Sequence, residues 1–376
     1  MDKILLGTAI AFIITFAAIP IIIQVSNAKK LFDLPDERKI HISPIPSLGG
    51  LGIFAGFILA CLFTISLYNA PDFQYFYAAA LVIFFLGLKD DILVLSPMKK
   101  FIGQMLAAFL IVYKGGLVIH SMHGFLGVYE LPEAFSLAFT YLTLIVIINS
   151  FNLIDGVDGL AGSLGLMTSL IFGIYFKNIG DVEYATLAFC LGGSIMAFLI
   201  FNHSPAKIFM GDTGSLLIGI VNAIMVIHFI NVAANPGSTL PVAASPAMGF
   251  AILIVPLFDT LRVFALRIFS RRSPFSPDRN HIHHLMMDNG MSHSMITYSC
   301  VAVNIIFIAV AYYFRYADCT VLILSLVTVA SLATGIMYYT ARKRKGRIEE
   351  FGTTPPAITS QILQLKNKSF STQEQN

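Results

Sequence analysis

Long apolar runs alternate with short polar stretches along the whole chain. Eleven runs are long enough to be read as membrane spans, at roughly 4–25, 48–69, 73–89, 100–114, 134–151, 159–176, 183–201, 214–232, 246–268, 294–314 and 318–340. A backbone in lipid must satisfy its own polar groups, and no alternating barrel-strand pattern is present, so the runs predict helices. The expected fold class is an all-α polytopic membrane protein. Residues 1–340 form one integral-membrane domain in this reading, and 341–376 a basic, then polar, disordered cytoplasmic tail. The first run, Ile4 to Val25, is too long for a signal-peptide core and lacks a small-residue cleavage site before Asn27, which predicts an uncleaved span.

The polar stretches sort by charge. Alternate loops hold Lys29, Lys30, Arg38 and Lys39; Lys89, Lys99 and Lys100; Lys207; Arg271, Arg272 and Arg279; and Arg342 to Arg347. The other set holds only Lys3, Lys114, Lys177 and Arg315. Because Lys and Arg stay on the cytoplasmic side, the N-terminus is expected outside and the C-terminus inside, which requires an odd number of spans. In the outer loop after Lys114, Leu117-Val118-Ile119 and Gly127-Val128-Tyr129 flank Met122-His123-Gly124 and predict a small β-hairpin near 117–131. Arg262 and Arg267 precede Arg271 at helical spacing, so the ninth helix is expected to project into the cytoplasm.

Composition agrees with the pattern. The chain is 56% hydrophobic with a mean hydropathy of +0.78, a balance that would leave a soluble domain with large apolar patches. A net charge of +3 gives no electrostatic support to a nucleic-acid partner. Cys61, Cys190, Cys300 and Cys319 lie in or beside apolar runs without metal-ligand spacing and read as packing residues.

With only 12% of residues charged, five acidic or His-rich stretches stand out, and all five fall on the predicted cytoplasmic side. Asp90 and Asp91 close the third run; adjacent carboxylates repel, oppose the helix dipole and call for a cation. Asn149, Asn152, Asp155 and Asp158 recur every third residue, on one helical face or along a tight turn, with Gly156 and Gly159 allowing close backbone approach. Asn202 to Gly214 ends in Met210-Gly211-Asp212-Thr213-Gly214, which puts Asp212 at a helix N-terminus suited to metal or phosphate. Asp259 stands alone. Asp278 to His284 gathers Arg279, Asn280, His281, His283 and His284, donors for phosphate or sugar oxygens rather than a zinc set. Hard oxygen ligands favour Mg²⁺ or Mn²⁺ over Zn²⁺, and Lys100 and Arg279 offer phosphate partners. The combination points to phosphoryl transfer from a nucleotide to a lipid at the cytoplasmic face. Two other classes use membrane carboxylates. A secondary transporter carries them mid-span rather than at span ends, and an intramembrane aspartyl protease would have to pair Asp212 with Asp259.

The ordered blocks Asp90-Asp91 with Lys100-Phe101-Ile102-Gly103-Gln104, Asn152 to Leu160, Phe209 to Ser215 and Pro277 to His284 resemble the polyprenyl-phosphate N-acetylhexosamine 1-phosphate transferases. Pro46 with Gly49-Gly50 is similar to that family's entry to the second helix. The His block resembles the branch that uses UDP-N-acetylglucosamine, with undecaprenyl phosphate in a bacterial inner membrane as acceptor. What the resemblance implies is specific. Asn152 and Asp212 would hold Mg²⁺. Asp90, with Asp91 beside it, would deprotonate the lipid phosphate, and Asp155 would join the catalytic carboxylates. Lys100 would bind the lipid phosphate. Gly156, Asp158, Phe209, Asn202 and Asn149 would contact the nucleotide, and Arg279, His281, His283 and His284 the diphosphate and sugar. A homodimer is implied at family level. One departure is that Ile92-Leu93-Val94 follows Asp91, so a third adjacent Asp is missing.

Overall fold

The computed structural model describes residues 2–29, 45–235, 237–271 and 280–350, for 345–350 the backbone only. Among them thirteen α-helices follow one another and no strand forms. They are α1 (Lys3–Lys29), α2 (Gly49–Thr64), α3 (Phe73–Ile92), α4 (Pro97–Phe109), α5 (Glu133–Ile154), α6 (Leu160–Asn178) and α7 (Val182–Asn202). The rest are α8 (Gly211–Ala233), α9 (Ser245–Ile252), α10 (Ile254–Phe269), α11 (Ile282–Asp288), α12 (His293–Tyr313) and α13 (Cys319–Glu350).

α8 is the axis. Every residue from Thr213 to Ile227 is buried, as expected of a helix that is apolar all round. Helices α2, α3, α5, α6, α7 and α9 pack about it. Lipid-like surroundings give little hydrophobic drive between helices, so small residues that let backbones approach carry the packing. Gly50 of α2 and Gly87 of α3 lie against the α8 backbone at Gly214 and Thr213, leaving no room for a β-carbon. This draws the ends of α2 and α3 to the start of α8, where the polar blocks lie. α1 closes over α2 and α7, α12 over α6 and α9, and α10 over α5.

Seven helices (α1, α5, α6, α7, α8, α12 and α13 as far as Arg344) are long and apolar enough to cross a membrane, or eight if α9 and α10 form one bent span. The other predicted runs are helical as well. α2 is apolar but short, and α4 begins at Pro97 and ends in a wider turn over Leu110–Lys114. α3 extends beyond its predicted end, so Asp90 and Asp91 are still helical.

Three expectations change. The ninth run is not one helix; it breaks at Leu253 and its halves meet at 88°. Pro256 lies in the first turn of α10, where a missing N–H costs least. The buried Asn304 of α12 satisfies the broken ends. It accepts from Val255 N at 3.3 Å and donates to Ala251 O at 3.2 Å and Ile252 O at 3.1 Å. The 117–131 loop doubles back through Met122 N to Tyr129 O (2.8 Å) and Leu131 N to His120 O (3.0 Å), but only one isolated antiparallel bridge forms, Ser121 with Glu130. Side-chain bonds compete with a ladder there: the Ser121 hydroxyl donates to Tyr129 O, and Leu126 N donates to Thr320 on α13. Finally, α13 carries the basic run 342–347 as helix to Glu350 instead of ending before it; the tail from 351 lies outside the described residues.

Asn304→Ala should strand three backbone groups at the break. We expect a loss of about 2 kcal/mol or more, read as a lowered unfolding midpoint of purified protein in detergent; an unchanged midpoint would remove Asn304 from this role.

Candidate active site

Four helix ends meet at one point: the C-termini of α3 and α5 and the N-termini of α4 and α8. The turn between α3 and α4 is short, and Pro97 starts α4 with a preset φ and no N–H to satisfy. Asp90 is 8% exposed; its Oδ1 accepts Leu95 N–H at 2.6 Å and its Oδ2 pairs with the Lys100 ammonium. The same Lys100 Nζ lies 2.6 Å from Asp212 Oδ2. Asn152, in the last turn of α5, donates from Nδ2 to Asp212 Oδ1 at 2.8 Å and to Ser215 Oγ at 3.0 Å.

Asp91 faces the start of α8 rather than Lys100. Its Oδ1 accepts Asp212 N–H at 2.7 Å, and its Oδ2 accepts Thr213 N–H at 3.1 Å and the Thr213 hydroxyl at 2.5 Å. This is a helix N-terminal cap delivered from another helix, and it settles a carboxylate on the positive end of α8. Gly211 makes it possible. It has a left-handed φ of 71°, and a β-carbon there would sit 2.7 Å from Asp91 Oδ1.

Three carboxylates (Asp90, Asp91, Asp212) against one ammonium leave a formal charge of −3 + 1 = −2 at this point. The donors fit a hard divalent cation, since Asp90 and Asp212 already turn oxygens toward one shared cation, the ammonium of Lys100. Among the described residues no three His, Cys, Asp or Glu side chains converge as a metal site on their own, so phosphate oxygens and water would have to complete a coordination shell.

The chain leaves α5 at Asp155, so the three-residue repeat from Asn149 to Asp158 does not stay on one face. Asn149 turns to Gln104 of α4, donating at 2.8 Å and accepting at 3.3 Å, and ties α5 to α4. Burial, then the charges of Asp212, Asp91 and Asp158, push the Asp155 carboxyl up to about 8. Gly156 lies beneath His283, where a β-carbon would come 2.7 Å from Nε2. His283 is 2% exposed, and burial followed by the neighbouring His284 pushes it down to about 3, so its ring is neutral. Its Nδ1 has no hydrogen-bond partner among the described residues. His281 stacks on it at 5.7 Å and 9°, and His284 tilts against it at 4.3 Å. His281 in turn is held by Asp259.

Asp158 and Asn202 face inward. Asp158 accepts Ala206 N–H at 3.3 Å, lies 3.3 Å from His293 Nδ1, and its carbonyl accepts the Thr297 hydroxyl at 3.0 Å. Asn202 accepts Gly159 N–H at 2.9 Å and donates to Ile208 O at 2.8 Å. Both brace the loops beside the site. Phe209 is half-buried; its N–H donates to Pro46 O at 2.7 Å and its carbonyl accepts from Gly49 at 2.9 Å, which docks the Pro-Gly-Gly entry of α2 on this loop. Arg279 and Asp278 lie outside the described residues.

The five polar stretches therefore converge: Asp90, Asp91, Lys100, Asn152 and Asp212 directly, and Asp155, Gly156, His283, His281 and Asp259 in a continuous row beside them. The sequence motifs contain Thr213, Ser215 and Gln104 but assign them no role; they orient Asp91, Asn152 and Asn149. The sequence also left Asp259 without a partner. The places of Thr213, Ser215 and Gln104 within a turn of Asp212 or Lys100 were the available signal.

Comparison with known proteins bears on this arrangement. The model of glycosyl transferase family 4 matches residues 73–230. Over 359 residues the chain is 33% identical to the decaprenyl-phosphate N-acetylglucosaminephosphotransferase of Mycobacterium tuberculosis, covering 88% of this chain and 87% of that protein. It is 32% identical over 317 residues to a probable undecaprenyl-phosphate N-acetylglucosaminyl 1-phosphate transferase of Bacillus subtilis, covering 82% and 85%. It is 30% identical over 299 residues to the undecaprenyl-phosphate alpha-N-acetylglucosaminyl 1-phosphate transferase of Escherichia coli K12, covering 78% and 79%. The match spans nearly the whole helical bundle and both halves of the polar cluster, and the chain belongs to glycosyl transferase family 4, the polyprenyl-phosphate N-acetylhexosamine 1-phosphate transferases.

Proposed function

We propose that this chain transfers N-acetylglucosamine 1-phosphate from UDP-N-acetylglucosamine to undecaprenyl phosphate in a bacterial inner membrane. UMP leaves, and the product is the first lipid-linked intermediate of a cell-surface polysaccharide. The observation that carries this reading is the Asp90–Lys100–Asp212 arrangement at the meeting of α3, α4 and α8. The names of the relatives supply the substrate class.

In this reading Asp212 and Asn152, with an oxygen of Asp90, hold Mg²⁺ (or Mn²⁺), which when bound neutralises diphosphate charge. Lys100 exchanges its carboxylate partners for the lipid phosphate. Asp90 takes the proton of that phosphate, whose oxygen attacks the sugar-linked phosphorus directly. The bond to UMP breaks and UMP keeps the electron pair. Asp155 stays protonated at neutral pH and so donates to a diphosphate oxygen where a carboxylate would repel it. Neutral His283, with His281 and His284, serves the sugar and diphosphate side, the task the resemblance also gives Arg279. Gly156 leaves room there, Phe209 faces the nucleobase, and Asp158, Asn202 and Asn149 keep its loops in place.

Eleven crossings fit the helices: α1 to α8, the bent pair α9–α10, α12 and α13. The Lys and Arg distribution supports an outer N-terminus and a cytoplasmic site.

Asp212→Ala should abolish formation of the lipid-linked sugar phosphate at every Mg²⁺ concentration; retained turnover would take Asp212 out of the metal site. A second expectation concerns pH. A carboxyl whose folded value lies above its unfolded one favours the folded state at low pH, and that advantage is lost as pH rises through about 8. Asp155→Asn should therefore gain stability relative to the parent between about pH 5 and about pH 9, measured by thermal unfolding without metal. A constant difference would contradict the buried, protonated state. Third, single cysteines at Lys114 and Lys207 in a background lacking native cysteines should label from opposite sides of intact cells. Labelling of both from outside would overturn the topology.

A further inference from the structure

Asp259 is a membrane-segment carboxylate with no task in the reaction outlined above, and it is 1% exposed. Such a charge persists in a low-dielectric interior only if its oxygens are fully engaged. They are. Oδ1 accepts Ile282 N–H at 2.8 Å and Arg262 Nη2 at 3.1 Å, while Oδ2 lies 2.8 Å from His281 Nδ1. Arg262 also donates to Asn280 O. One carboxylate thus joins α10 to the start of α11 at both the backbone and the ring.

The bonding pattern has a chemical consequence. An ionised carboxylate accepts and cannot donate, so the ring nitrogen facing it must carry the proton. In a singly protonated ring, the proton on Nδ1 leaves Nε2 as an acceptor. The ring is also fixed in rotation, because it stacks on His283, which itself packs against Gly156. The helical break matters here too. α10 turns away from α9 by 88°, and this bend delivers Asp259, near the start of α10, to the His block instead of continuing along α9.

We infer that Asp259 is a positioning residue that acts through His281, fixing its Nδ1–H tautomer and ring plane so that Nε2 is presented to the sugar–diphosphate side of the site. Arg262 serves as its counter-ion, keeping the carboxylate ionised and aimed. The inference rests on the transferase reading for its kinetic consequence but not for its tautomer.

Asp259→Asn is the informative change. The side-chain oxygen can keep Ile282 N–H and Arg262, while the new amide N–H faces Nδ1, so the ring must move its proton to Nε2. The expected result with purified protein in detergent is a fall in kcat of about 100-fold with KM for UDP-N-acetylglucosamine within about threefold and a retained unfolding midpoint. In a double-mutant cycle, Asp259→Asn should add less than about twofold to the loss already caused by His281→Ala. A purely structural role for Asp259 would instead multiply the two losses, and that outcome overturns the inference.

A second measurement stands apart from activity. ¹⁵N-histidine labelling gives nine ring pairs, and His281→Ala assigns one of them. At a pH where the ring is neutral, the parent protein should show His281 protonated at Nδ1, and the Asp259→Asn protein at Nε2. A parent ring protonated at Nε2 refutes the inference even if the Asn variant does not fold. Absence of any lipid-linked product from the parent, with the tautomers as expected, would reject the transferase reading and leave the positioning of His281 intact.

Discussion

The grip of Asp91 on the first turn of α8 is the interaction on which the site depends. A buried central helix must end somewhere, and its first N–H groups have no partner within the helix. Here Asp91, from the end of α3, accepts two of those N–H groups and the Thr213 hydroxyl. This fixes the separation of α3 and α8, and with it that of Asp90, the residue before Asp91, and Asp212, whose own N–H is one of the two. Both then reach the Lys100 ammonium. Adjacent carboxylates that look redundant in sequence thus divide the work: one holds the frame and its neighbour pairs with Lys100.

The same logic recurs on the other side of the site. A helix broken in an apolar setting exposes backbone groups that must be paired, and Asn304 pairs them. The bend sends α10 toward the His block, where Asp259 takes up His281 and the backbone of Ile282. Asp158 and Asn202 close the third side by bonding to loop backbone and to α12. Several of the polar residues buried in this bundle, among them Asn304, Asp158 and Asn202, hold loops and helix ends.

Much of this was legible in the chain. The apolar runs gave the helices, and the polar blocks that meet in space are those that stand out against a sequence with few charges. Charge sorting assigned all five to one side, a condition for their meeting. The break at Leu253 was not legible, because apolar residues continue across it and the amide that stabilises it lies fifty residues on, at Asn304. The spacing of Asn149, Asn152, Asp155 and Asp158 left open one helical face or a tight turn; the helix ends at Ile154, so the first two lie on α5 and the last two beyond it. Asp91 resembled a second catalytic carboxylate because sequence places it beside Asp90 and does not reveal which side of α3 meets α8. The 117–131 loop has strand-like residues, yet a hydroxyl at Ser121 and a partner at Thr320 take the backbone groups a ladder would need.

The central claim is that Asp90, Asn152 and Asp212 form with the donor's diphosphate a single divalent-cation site. Electron–nuclear double resonance on Mn²⁺ bound to the purified protein with UDP-N-acetylglucosamine addresses it directly. The account predicts ³¹P coupling from the diphosphate in the parent protein and its loss when Asp212 is replaced by Ala. Phosphorus coupling that persists unchanged in that variant would contradict it.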